Sequence, residues 1–264
     1  MNSTAHDNPI NDTSHHDTST ANAVYNRTSH AYNEVAGLLA KRLTQETQGE
    51  VLFGVGDRGR YATDASIYQE TPVGVFVPRS DTDVEHALAV CRDLKVPIVS
   101  RGGGTSQCGQ TVGAGLVVDF SKHLRHASHL DLEKGQITVQ PGMVLDHLNA
   151  QLKQHKLWYP VDVSTAAQAT LGGMAGNNSC GSRSIAYGNM VHNVAGMSAW
   201  LADGQSLYWG LMNDQQTSTQ ARSIGTWLQG LVNDLKPDLE AHWPKVLRRV
   251  AGYNLDIFHP QSER

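Results

Sequence analysis

Val96-Pro97-Ile98-Val99-Ser100-Arg101-Gly102-Gly103-Gly104-Thr105-Ser106-Gln107-Cys108-Gly109-Gln110 is followed, after five small residues, by Leu116-Val117-Val118-Asp119-Phe120. Two β-branched, apolar runs bracket a glycine-rich loop, so the segment reads strand, loop, strand. Three successive glycines remove every Cβ from the backbone, and consecutive N–H groups can then converge on an anion in conformations other residues resist. Thr105 and Ser106 add hydroxyl donors. Standing alone, the same residues would serve equally as a flexible connection. A second glycine-rich segment downstream favours a phosphate cradle.

Working outward, Gly74-Val75-Phe76-Val77-Pro78 reads as a short strand, and Ser80-Asp81-Thr82-Asp83 opens a helix through Leu94 with Val84, Ala87, Leu88 and Cys91 on one face. Ser80 or Asp81 is the expected cap. The unit is βαβ, and its last strand delivers the chain into the glycine loop. Loops leaving the carboxyl ends of strands are where open α/β sheets bind ligands. Upstream, Val35, Leu38, Leu39 and Leu43 recur at helical spacing from Tyr32 to about Gln48, whereas residues 1–31 are a polar tail of Asn, Ser, Thr, His and Asp that is expected to be disordered. Downstream, the pattern predicts a strand at 136–140, a helix over 145–155, strands near 195–201 and 206–208, and helical character over 224–248 interrupted by Pro237 and Pro244. The layout is α+β.

A chain of 264 residues with 39% hydrophobic and 17% charged residues can bury a sizeable core. Its net charge of −4 supplies no electrostatic footprint for nucleic acid. No run approaches the roughly 18 apolar residues of a spanning helix, and the N-terminus lacks the pattern of a signal peptide, so a cytoplasmic protein is expected. Cys91, Cys108 and Cys180 are odd in number and far apart, which argues against a disulfide framework.

The second segment, Ala169-Thr170-Leu171-Gly172-Gly173-Met174-Ala175-Gly176-Asn177-Asn178-Ser179-Cys180-Gly181-Ser182-Arg183-Ser184-Ile185-Ala186-Tyr187-Gly188, is dense in glycine and small polar side chains. Backbone can approach a ligand closely there while Thr, Asn and Ser supply hydrogen bonds. Two such surfaces suit one elongated, phosphate-containing ligand. Gly54-Val55-Gly56-Asp57-Arg58-Gly59 matches the dinucleotide fingerprint in letters only, because Arg60-Tyr61-Ala62-Thr63-Asp64-Ala65 carries no apolar helical stripe. His123, His126 and His129 recur every three residues without further ligands that would complete a metal site.

Taken in order, Tyr61-Ala62-Thr63-Asp64-Ala65-Ser66-Ile67-Tyr68, Val77-Pro78, Arg101-Gly102-Gly103-Gly104-Thr105-Ser106, Val139-Gln140-Pro141-Gly142, Gly172-Gly173-Met174, Asn177-Asn178-Ser179-Cys180-Gly181, Tyr187-Gly188 and Leu201-Ala202-Asp203-Gly204 resemble the FAD-binding domain of the vanillyl-alcohol oxidase and p-cresol methylhydroxylase superfamily. Within it, the chain is most similar to the FAD-linked dehydrogenases of D-2-hydroxy acids, the D-lactate, glycolate and D-2-hydroxyglutarate group. The resemblance implies a fold of two α/β subdomains, about 70–120 and 121–210, after a lead-in segment over 32–69 and before a helical region over 211–264. It also implies that the backbone of Gly102, Gly103, Gly104, Thr105 and Ser106 holds the FAD pyrophosphate, with Arg101 as a further cofactor-binding residue, Gly109 and Gln110 closing the loop and Pro78 lining the groove. Gly172, Gly173, Asn177, Ser179, Gly181 and Gly188 would bound the flavin and ribityl side, with Asp162, Ser164 and Thr170 as further contacts. Covalent members carry a histidine where Thr105 stands, so noncovalent FAD is implied.

By the same resemblance the reaction is oxidation of a 2-hydroxy acid, with hydride passing to flavin N5 and electrons leaving to a separate acceptor. Family members continue past the segment resembling Val246–Asp256 into a substrate domain carrying the catalytic base, and often an iron–sulfur domain. The chain is therefore expected to be an N-terminal portion that binds FAD weakly alone and turns over no substrate. A stand-alone flavin module with a partner chain, or another enzyme on this fold, are the alternatives.

Overall fold

The computed structural model of the protein describes residues 34–211, 213–246 and 253–255. The polar tail expected over 1–31 lies outside them. A helix over 34–46 (α1) leads into strand β1 (Glu50–Leu52), helix α2 (Val55–Arg60), strand β2 (Gly74–Val77), helix α3 (Asp81–Leu94), and strands β3 (Ile98–Arg101) and β4 (Leu116–Asp119). These strands form one sheet in the order β1-β2-β4-β3, with β1 antiparallel to β2 and the other three mutually parallel. The βαβ unit expected from the sequence is present, and its crossover through α3 steps over the place β4 later fills.

Burial on both faces explains why β2 and β4 read as unbroken apolar runs. Side chains alternate across the pleat, so Phe76, Leu116 and Val118 pack with Leu39 and Leu43 of α1 and Ala87, Val90 and Cys91 of α3. Val75, Val77 and Val117 pack on the other side with Leu52, Tyr61 and Val99. Ser80 caps α3 by accepting from the Asp83 N–H, as expected. In α1 the buried stripe is narrower than the spacing predicts: Leu39 and Leu43 are fully buried, whereas Leu38 is 47% exposed.

A second core gathers Met143, Leu145, Leu148, Leu152, Val161, Leu171, Met174 and Met190. Its elements are the hairpin β5 (Ala127–Asp131) and β6 (Gln136–Val139), helix α4 (Leu145–Leu152), and the short helices α5 (Leu171–Gly176), α6 (Ser184–Tyr187) and α7 (Met190–Asn193). A hairpin of β7 (Met197–Trp200) and β8 (Ser206–Trp209) follows, then α8 (Thr219–Asp234) and α9 (Lys236–His242). Among the described residues no helix is long and apolar enough to cross a membrane.

Candidate functional site

Because β2, β3 and β4 run parallel, their carboxyl ends share one edge of the sheet, and Pro78, Gly102 and Phe120 stand at the start of the loops leaving it. The Phe120 N–H donates to the Arg101 carbonyl over 3.0 Å, closing the base of the glycine loop. From Phe120 the chain of contacts runs into the second glycine segment. A Cβ on Gly142 would collide with the Phe120 carbonyl, so the Pro141-Gly142 turn sits directly on the end of β4. Gly172 N–H then donates to the Pro141 carbonyl (2.9 Å) and Leu171 N–H to that of Met143 (2.8 Å).

This ladder lays residues 168–173 against the glycine loop. A Cβ on Gly102 would strike Thr170 Oγ1, and one on Gly103 would strike the Gln168 carbonyl. The two glycine segments, separate in sequence, are thus in van der Waals contact. Gly104 adopts φ +65°, in the left-handed region that disfavours a side chain.

Five main-chain donors are left over at this meeting point. The N–H groups of Gly103, Gly104, Thr105, Ser106 and Gly173 have no protein acceptor among the described residues. Nor has the Thr170 hydroxyl, although Thr170 is only 2% exposed. Buried polar groups are nearly always partnered, so an orphaned hydroxyl beside a row of free N–H groups fits an acceptor-rich ligand. The pyrophosphate of FAD is such a group, and these residues suit it.

Other residues expected at the site brace it. Arg101 stacks over the Tyr61 ring at 5.1 Å and donates from Nη2 to the Thr63 carbonyl at 2.9 Å, so its guanidinium is occupied by protein. Ser106 Oγ donates to Gln110 Oε1 (2.8 Å) and accepts from the N–H groups of Cys108 and Gln110, which closes the loop on itself. Gly109 lies under the Tyr68 ring. Pro78 is buried at the end of β2, two strands away from Gly102.

In the second segment Asp162 Oδ1 accepts from the Arg183 N–H (3.0 Å) and Oδ2 from the Ser182 hydroxyl (2.8 Å). Burial alone would push this carboxyl up, but those donors more than offset it and hold its pKa below the usual range. Asp162 therefore anchors the 181–183 loop. Asn177 Nδ2 donates to Ser179 Oγ (3.0 Å), Gly181 N–H to Ser184 Oγ (2.9 Å), and Gly188 holds φ +77° at the end of α6. Ser164 is exposed.

Sequence reasoning missed the Tyr61 hydroxyl, which donates to Asp119 Oδ2 over 2.7 Å and ties residue 61 to the end of β4. Burial, then that carboxylate, drives the Tyr61 pKa upward. The motif Gly54–Gly59 lies mostly within α2, with Gly59 near the helix C-terminus, opposite to what a dinucleotide fingerprint requires. His123 is bonded to Glu50 (Nε2 to Oε1, 2.7 Å) rather than grouped with His126 and His129. A depression of about 140 Å³ bordered by Leu130, Gln136, Ile137, Trp158 and Asn193 shares no residue with the glycine segments.

The wild-type BBE-like 1 protein of Physcomitrella patens superposes with a TM-score of 0.57 over 65% of this chain and 37% of its own, at 20% identity, which establishes the fold. The FAD binding domain family matches residues 72–208, just over half of the chain, and the protein belongs to that family. D-2-hydroxyglutarate dehydrogenase of Haemophilus influenzae is 31% identical over 231 residues, 83% of this chain and 22% of the dehydrogenase. Glycolate oxidase subunit GlcD of Bacillus subtilis is 35% identical over 170 residues, 62% of this chain and 36% of that subunit. The chain thus spans about a fifth to a third of these relatives' length.

Proposed function

We propose that this chain is the flavin-holding part of an FAD-dependent oxidoreductase that oxidises a small 2-hydroxy acid of the D-lactate, glycolate or D-2-hydroxyglutarate kind and passes the electrons to a separate acceptor. The observation that carries this reading is the row of unpartnered N–H groups at Gly103–Ser106 beside the orphaned Thr170 hydroxyl. Similarity to dehydrogenases of D-2-hydroxy acids supports the substrate class.

The residues divide the work. Gly103, Gly104, Thr105 and Ser106 offer main-chain donors to the pyrophosphate oxygens, and Thr170 and Gly173 complete the cradle from the other segment. Gly102 and Gly103 let the two segments touch. Asp162 holds the 181–183 loop, which would border the ring system with Asn177, Ser179 and Gly188. Thr105 offers no imidazole for a covalent link, so the cofactor is held by these contacts alone. FAD, when bound, supplies a two-electron acceptor for the hydrogen on the substrate's α-carbon.

Titration of the purified chain with FAD, followed by the flavin visible spectrum and by fluorescence, tests the binding. Saturable binding, with all flavin released on acid precipitation, is expected. The FAD-loaded protein should then reduce an artificial dye with D-lactate, glycolate or D-2-hydroxyglutarate when supplied within the complete polypeptide. No saturable binding, flavin that stays with the precipitate, or inertness to all three acids would each overturn the part of the reading it addresses.

A further inference from the structure

The bonds within the glycine loop join Ser106 to Cys108 and Gln110 and leave the Gly102–Gly104 end to be held from outside. Residues 63–66, outside any regular element and joined to Gln69 through a single bridge at Thr63, are bonded to the loop at three places. At the near end Arg101 Nη2 donates to the Thr63 carbonyl (2.9 Å). In the middle the Ala65 N–H donates to the Gly104 carbonyl (3.0 Å). At the far end Thr111 Oγ1 donates to Asp64 Oδ2 (3.0 Å), while Asp64 Oδ1 accepts from the Ser66 N–H (2.9 Å) and so fixes its own turn.

An anion cradle fails if a carbonyl swings toward the anion, because the oxygen's partial negative charge repels it. A Gly104 carbonyl bonded to Ala65 cannot make that swing, even though glycine in the left-handed region is the residue freest to do so. We infer that residues 63–66 are a positioning strap, with Asp64 and Thr111 as its latch, that presets the glycine loop for the FAD pyrophosphate. The inference rests on the flavin reading above. Neither latch residue belongs to the cradle itself; each acts through Gly104. Burial would raise the Asp64 carboxyl, but bonds from Ser66 and Thr111 outweigh it and keep the pKa low, so the latch stays an acceptor near neutral pH.

The test compares FAD affinity of the full chain with that of Thr111→Val, Thr111→Ser and Asp64→Asn. Thr111→Val keeps the side chain's shape and deletes the hydroxyl, and is expected to weaken FAD by about tenfold. Thr111→Ser restores the donor and should return affinity to within about twofold of wild type, a rescue that loss of packing alone would not produce. Asp64→Asn keeps shape but turns one acceptor into a donor, and should weaken FAD although it removes a negative charge near a phosphate. Wild-type binding together with undiminished affinity in Thr111→Val, failure of the serine to rescue, or tighter binding by Asp64→Asn would overturn the strap. A wild-type chain that binds no FAD overturns the flavin reading, and the strap with it.

Discussion

Thr170 Oγ1 is shut away from water with no hydrogen-bond partner among the described residues, an arrangement that costs about 1–3 kcal/mol as the protein stands. Replacing it with valine therefore has two opposite expected effects. Without FAD, Thr170→Val should stabilise the protein by about 1 kcal/mol in urea unfolding, because the orphaned hydroxyl is gone. With FAD, affinity should fall by about tenfold, because the cofactor loses a buried partner. A variant that loses stability and keeps its affinity would remove Thr170 from the cradle. Glu50 makes a pH prediction. Lys122 first, and His123 second, hold its carboxyl below the ordinary glutamate range by hydrogen bonding. A depressed folded pKa means stability that is present above the unfolded value of about 4.3 and lost as pH falls through the folded one. Wild type should thus exceed Glu50→Gln in thermal midpoint near neutrality, and the gap should shrink toward about pH 3. A gap that stays constant with pH would show that the ion pairs contribute nothing.

Among the elements, α3 shows where reading a sequence stops. Its strand-breaking start, Ser80 cap and apolar face are all local, and they are legible in Ser80–Leu94. What is not legible is Asp83, which looks like one more acidic residue in a first helical turn but is 3% exposed and accepts from the N–H groups of Gln48 (2.7 Å) and Arg79 (2.8 Å). It joins the end of α1 to the end of β2 through a long-range bond no spacing rule encodes. Ser80→Ala should cost about 1 kcal/mol, as for an ordinary cap. Asp83→Ala should cost roughly 3 kcal/mol, since two donors lose a charged acceptor at once. Equal losses in denaturant melts would show that the two long-range bonds of Asp83 contribute no more than an ordinary cap. The elements that the sequence hides have similar causes. Helix α5 contains three glycines in six residues and forms because its first N–H groups meet the carbonyls of Met143 and Pro141. Strand β5 breaks its alternation at a register shift between Ser128 and Asp131, with His129 at φ 52°. Helix α2 buries nothing, and Arg58 Nε donating to the Pro72 carbonyl (2.8 Å) helps hold it.

Over the whole molecule, distant segments are tied together by single residues as well as by cores. Arg92 of α3 donates to the Asp203 carbonyl at 2.7 Å, joining the sheet's helix to the β7–β8 turn, and Trp200 Nε1 reaches Glu85 at 3.3 Å. A ligand that grips both glycine segments adds to these ties only in the folded state. FAD at about one hundred times its dissociation constant should therefore raise stability by about 2.7 kcal/mol, read as an FAD-dependent rise in the thermal midpoint. A midpoint indifferent to FAD would mean that the cradle does not take the cofactor. The sequence alone determined the parallel strands, the α3 crossover and the glycine loop at the carboxyl end of β3, because apolar period, cap chemistry and missing Cβ atoms act within a few residues. Only the tertiary structure decided that residues 168–173 lie against that loop, that Thr170 is left without a partner and that Asp64 is bonded to Thr111. Those facts depend on which main-chain groups find one another across dozens of residues, and a Pro141 carbonyl or a Gly104 carbonyl looks the same in every sequence until the chain has closed around it.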